Sequence, residues 1–170
     1  LNPLHAVTTM LPRRALALLL VALFAAGTFS RASAWANPYY LWSAEVEHHP
    51  SSTRANTAMG DFYADAITFD PAAKAANYQL ARHYYEQATA LKSENINGLV
   101  GLILLSELHG KPVEKAWLSE LTRRLEHEAI SANTNDRLMS LAICQTKESC
   151  PLKADEIDQL LHAPLRNPNV

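Results

Sequence analysis

Cys144 and Cys150 are the chain's two cysteines, six residues apart and followed by Pro151. In an oxidising compartment an even count at short spacing reads as a disulfide. Here it would tie the end of one helix to the start of the next. The loop it closes is small, so its contribution should be about 2 kcal/mol. Two free buried thiols or a metal site are the alternatives. Glu45, Glu47, His48 and His49 carry the right atoms for a metal ion. Adjacent residues on a helix point in different directions, however, so His48 and His49 do not face one ion unless the helix ends between them. No H-E-x-x-H spacing occurs. The pattern fits a solvated helix end with histidines on the C-terminal dipole. A metal-dependent enzyme built on His48 and His49 stays as a remote alternative. His83, His109 and His127 stand alone and read as surface or capping residues.

Other chemistries lack their residues. There is no G-x-S-x-G turn for a serine nucleophile, no phosphate-binding glycine loop and no dinucleotide fingerprint, so no cofactor is expected. Tyr78, Tyr84 and Tyr85 could line a sugar groove, but at helical spacing they fit core packing better. Residues 115–128 alternate in charge sign, the usual mark of a solvated face. The net charge of −2 leaves no basic footprint for nucleic acid.

The elements that would position these residues are helical. The 170-residue chain has five glycines, abundant Ala and Leu, and no stretch of strand-like alternation. Residues 15–29, ALALLLVALFAAGTF, carry no charge, with Arg13 and Arg14 before them and Arg31 after. A bilayer core of about 30 Å asks for some 20 apolar residues. Flanking residues from 11 to 31 extend the run, Arg31 can snorkel, and Trp35, Tyr39 and Tyr40 would form an aromatic belt. The competing reading is a signal peptide: Met10-Leu-Pro-Arg-Arg as a positive start, then Ala32-Ser33-Ala34 as cleavage site. Nine residues precede Met10, and the chain begins with Leu1, which favours a retained span in a piece of something longer. Either way the arginine pair stays cytoplasmic and the rest lies outside.

Asn37-Pro38 is a cap followed by proline at the first helical position, with Tyr39, Trp42 and Val46 on one face until Pro50. A second helix starts near residues 51–53, burying Ala55, Met59, Phe62 and Tyr63. Asp70-Pro71 opens a third, striped by Tyr78, Ala81, Tyr85 and Ala88. The next, over 97–109, is apolar almost all round and should be enclosed. Gly110 suits a left-handed C′ position and Pro112 would start the partner helix, with Val113, Trp117, Leu121 and Leu125 inward. A last pair spans 136–144, with Leu138, Leu141 and Ile143, and 153–163, with Ile157, Leu160 and Leu161. Pro164 stops it, and 166–170 reads as a frayed, disordered tail. The fold class is all-α: a transmembrane helix in residues 1–36, then a stack of antiparallel helical hairpins over 37–165.

Two spacings sharpen the hairpin reading. Asn56-x-x-Met59-Gly60-x-x-Tyr63 resembles the W-x₂-L-G-x₂-Y half of a tetratricopeptide (TPR) repeat, and Ala81-x₃-Tyr85-x₂-Ala88 its second half. Gly60 and Ala81 would let two helices approach while Met59, Tyr63 and Tyr85 fill the gaps. Asn56 stands where Trp is usual, Ser93 where a closing proline is expected, and nine extra residues separate Gly60 from Ala81. The array is a degenerate, TPR-like one over roughly residues 41–93. The order of parts is also distinctive: an apolar span, Arg31 and Trp35, a short helix bearing Trp42 and ending in His49-Pro50-x-Ser52, then hairpins. It resembles the C-terminal end of bacterial polytopic membrane proteins with TPR tails, akin to the transmembrane-and-tetratricopeptide O-mannosyltransferase family. The resemblance implies glycosyl transfer for a multi-span region upstream, none of whose residues map here.

The expected role is therefore a non-catalytic protein-interaction or scaffolding domain. It would be tethered to the inner membrane through residues 11–31, in the periplasm or outside the cell, and linked to glycan transfer or envelope assembly. A secreted periplasmic TPR-like adaptor, released after Ala34, is the alternative.

Overall fold

The computed structural model describes residues 3–91, 95–129, 132–146, 150 and 152–169. Ser93, Pro151 and Val170 lie outside them, as do the side chains of Leu108, His109 and Ala34. Every regular element among the described residues is helical. The chain divides into two units, Leu1–Leu41 and Trp42–Val170.

The first unit is dominated by α1, Pro3–Trp35. Within it Arg13–Ser33 is long and apolar enough to cross a membrane, and none of it is buried. Asn37 Oδ1 accepts from the Tyr39 backbone N–H at 3.0 Å, capping α2, Pro38–His48.

The second unit is built on α3 (Thr53–Phe69), α4 (Lys74–Leu91), α5 (Asn97–His109), α6 (Lys115–His127), α7 (Ala132–Cys144) and α8 (Ala154–His162). Ser52 caps α3 by accepting from the Ala55 N–H. Asp70 closes α3 and opens the 3-10 turn Pro71–Ala73 that leads into α4, its carboxylate accepting from the N–H groups of Ala72 and Ala73. Neighbours in sequence pack: α3 on α4, α4 on α5, α5 on α6, and α7 on α8. Helix α5 also meets α3 and α7, which makes it the central element. It serves two apolar cores. Leu102 and Leu105 join Ile67, Tyr78, Ala81 and Tyr85 on one side. Leu99, Val100 and Ile103 join Leu121, Leu125, Leu141, Ile157 and Leu160 on the other. Each such fully buried side chain contributes about 1.5–3 kcal/mol, which explains why α5 shows no polar face.

Several boundaries differ from the sequence reading. Pro112 does not open α6. Gly110 adopts φ +67° and the Lys111 N–H donates to the Ser106 carbonyl at 3.1 Å, closing α5 with the six-to-one bond of a Schellman motif. Pro112 follows as a stop, and α6 begins after Glu114. Helix α7 starts four residues before Asp136. Ile143 and Leu161, expected inward, are 52% and 38% exposed, because at about 100° per residue Ile143 falls on the face opposite Leu141 and Leu161 a quarter-turn from Leu160, off the buried stripe of α7 and of α8. Within the segment expected to fray, Arg166, Asn167 and Asn169 are docked on α6 and the residue that follows it. Asn167 is buried and donates through Nδ2 to the Leu125 and Glu128 carbonyls at 3.0 and 2.7 Å, capping the end of α6.

Candidate functional site

One polar cluster of the second unit, joining three helices, is organised around Tyr85. Its ring lies between two glycines: a Cβ at Gly60 on α3 would stand 2.5 Å from the ring, and one at Gly101 on α5 would also overlap it. The absent side chains create the slot that the ring fills. Tyr85 is 3% exposed, yet its hydroxyl reaches out of the core and donates to Asp61 Oδ1 at 2.8 Å. Arg137, on α7, donates to Asp61 Oδ2 at 2.9 Å from Nη2. Asp61 therefore fastens α3 to α4 and to α7 at once. Burial, with Asp61 beside it, holds the Tyr85 phenol well above its ordinary value of 10, so the group is a donor and not a base.

A groove of about 370 Å³ opens over this cluster, walled by Asp61, Ala64 and Asp65 of α3, Leu104 and Leu105 of α5, and Arg137 of α7. Burial, then the neighbouring Asp61, raises the Asp65 carboxyl. Arg137 is also a wall of a second lobe, about 420 Å³, completed by Asn97, Asp136 and Ser140. The groups on offer are carboxylates, one guanidinium already engaged by Asp61, amide and hydroxyl groups, and a strip of aliphatic wall.

The residues singled out from sequence are placed as follows. Met59, Ala81 and Ala88 are buried with Tyr85. Tyr63 is half-buried and stacks on Tyr84 with centroids 5.8 Å apart. Tyr78 lies in the α3–α4–α5 core, so the three tyrosines do not form one open face. Trp42 is half-buried with the Arg54 guanidinium 5.5 Å above its ring. Cys144 and Cys150 stand at disulfide distance, their Cα atoms 5.2 Å apart. Glu47, His48 and His49 are exposed. Among the described residues no three His, Cys, Asp or Glu side chains gather as metal ligands. His83 and His127 are exposed.

Sequence reasoning missed the residues that matter most here. Asp61 and Asp65 stand one turn apart on α3, which could have marked a charged strip, but Arg137 lies 76 positions from Asp61. Arg124 belongs to the stretch read as a solvated face, yet it is 6% exposed. Its Nη1 and Nη2 donate to the Asn95 and Thr89 carbonyls at 2.8 and 3.0 Å, and Nε to Glu120 at 2.7 Å. Asn56, the departure from the repeat pattern, is buried and donates to the Pro50 and Ser52 carbonyls at 3.0 and 2.9 Å, pinning the turn before α3. Comparison with family models, with curated proteins and with solved structures finds no match to this chain.

Proposed function

We propose that this chain is a membrane-tethered scaffolding domain that lies outside the cytoplasm and binds a protein partner without catalysing a reaction. The observation that carries the reading is the groove shared by alternate helices: α3, α5 and α7 contribute its walls, while α4 and α6 contribute little to the opening. We read α3–α4, α5–α6 and α7–α8 as three degenerate TPR-like hairpins whose first helices face one groove. The glycine–tyrosine contact between α3 and α4 supports that register, since it puts close approach at Gly60 and a filling ring at Tyr85. The 21 residues of the predominantly apolar stretch Arg13–Ser33 span about 32 Å at 1.5 Å each, enough for a core of about 30 Å, which supports an anchor. Cysteines at disulfide distance suit an oxidising compartment. Glycan transfer or envelope assembly, implied by the order of parts, would belong to the protein that the domain serves.

Site-specific photo-crosslinking tests the interaction reading. Benzoylphenylalanine at position 64, in the groove wall, should give a discrete protein adduct in intact cells, and at position 76, exposed on α4, should not. Equal labelling from both positions, or none from position 64, would rule out the groove as a docking face.

A further inference from the structure

We infer that the two-lobed groove holds a basic segment of the protein partner, with one lysine or arginine side chain on Asp65 and another on Asp136. The inference rests on the interaction reading above and names the chemistry of its partner. Three carboxylates, Asp61, Asp65 and Asp136, line the two lobes against a single guanidinium, that of Arg137. Asp61 is already committed to the Tyr85 hydroxyl and to Arg137. Asp65 and Asp136 make no ion pair among the described residues. An anionic partner would meet two free carboxylates and an arginine whose charge Asp61 balances. A cationic partner meets the opposite: an excess of negative charge beside low-dielectric walls, which focuses the field on it.

The walls also select the form of the cation. Ala64 and Leu104 offer aliphatic surface next to Asp65, suited to the methylene stem of a lysine or arginine whose charged head reaches the carboxylate. Asn97 and Ser140 line the other lobe with amide and hydroxyl groups that match a peptide backbone better than a polyamine. Arg137, common to both lobes, sets the boundary between the two cation positions.

The test uses the full chain in detergent micelles and degenerate nine-residue peptide pools whose central position is fixed as Lys, Arg, Glu or Leu. Binding is read by fluorescence anisotropy, with spermine as competitor. The Lys and Arg pools should bind and weaken with added salt. Asp65→Asn and Asp136→Asn should each weaken that binding about tenfold, with unchanged melting temperature because both side chains are exposed. Glu47→Gln, exposed on α2, should leave it unchanged. The inference is overturned if the Glu or Leu pools bind as well as the Lys pool, if the two Asn variants bind as wild type, if no pool binds, or if spermine binds as tightly as the peptides. A position-64 adduct that persists alongside any of these results would leave the interaction reading standing and remove only the basic partner.

Discussion

Tyr85 shows how one residue can hold three helices. Its ring occupies space that two glycines leave empty, on α3 and on α5, so it has no direction in which to retreat. Gly→Ala in a helix interior normally gains about 0.5–1 kcal/mol. At Gly60 or Gly101 the added methyl group should instead cost about 1–3 kcal/mol by overpacking, seen as a lower melting temperature. Gly27, whose added Cβ would meet nothing within 4 Å, gives the matched control with no loss. The hydroxyl end makes a separate prediction. Tyr85→Phe removes the bond to Asp61 and should cost about 1 kcal/mol at neutral pH. The folded phenol titrates above its ordinary value of 10, so its contribution is complete below pH 10 and is lost as pH rises toward the folded value. Wild-type stability should therefore fall above pH 10 more steeply than that of Tyr85→Phe, measured by urea unfolding along the pH series.

Among the elements, the caps decide where each helix stops, and they divide into local and distant kinds. Local ones were readable: Asp70-Pro71, Asn37-Pro38 and Gly110 announce themselves because cap and capped groups lie within a few residues. The stripe Tyr78, Ala81, Tyr85 and Ala88 was readable for the same reason, being a periodicity of one helix, and all four are buried. Distant caps left no trace in the sequence. Arg124 of α6 satisfies the Thr89 carbonyl in the last turn of α4, 35 residues away, and Asn167 reaches back 42 residues to Leu125. Polar residues on a charged helix or in a terminal segment look solvated until a partner appears from elsewhere in the chain. Arg124→Met should cost about 3 kcal/mol, because it strips the donors from two carbonyls and leaves Glu120 with one cationic partner fewer. Glu120, hydrogen-bonded by Arg123 and then Arg124, has its carboxyl lowered from 4.5 to about 2. Its contribution is present above pH 4.5 and is lost as pH falls toward 2. The side chain is 34% exposed, so screening reduces that contribution to about 1 kcal/mol. Glu120→Gln should flatten the acid limb by that amount in denaturant titrations.

At the scale of the whole molecule, the apolar helix and the helical domain make different demands on their surroundings. Arg13–Ser33 keeps its apolar side chains exposed, and in water such a surface would drive association. The second unit has its own two cores and needs no membrane for them. The fifteen uncharged residues alone fall several ångströms short of a bilayer core of about 30 Å, and the sequence reading asked the flanking residues from 11 to 31 to extend the run. The 33-residue helix Pro3–Trp35 makes up the difference by carrying the flanking residues in one continuous rod. The proposed location outside the cytoplasm makes a prediction for the cysteines: native alkylation should find neither Cys144 nor Cys150 free, and Cys150→Ser should lower stability by about 2 kcal/mol. The most direct test of a tethered domain is the N-terminus of the chain as it exists in cells. Alkaline carbonate-washed membranes should retain it, and peptide mapping should recover Arg13 and Arg14 attached to the helical domain. A soluble chain beginning at Trp35 would contradict the account, because the anchor would then be a leader removed at Ala34.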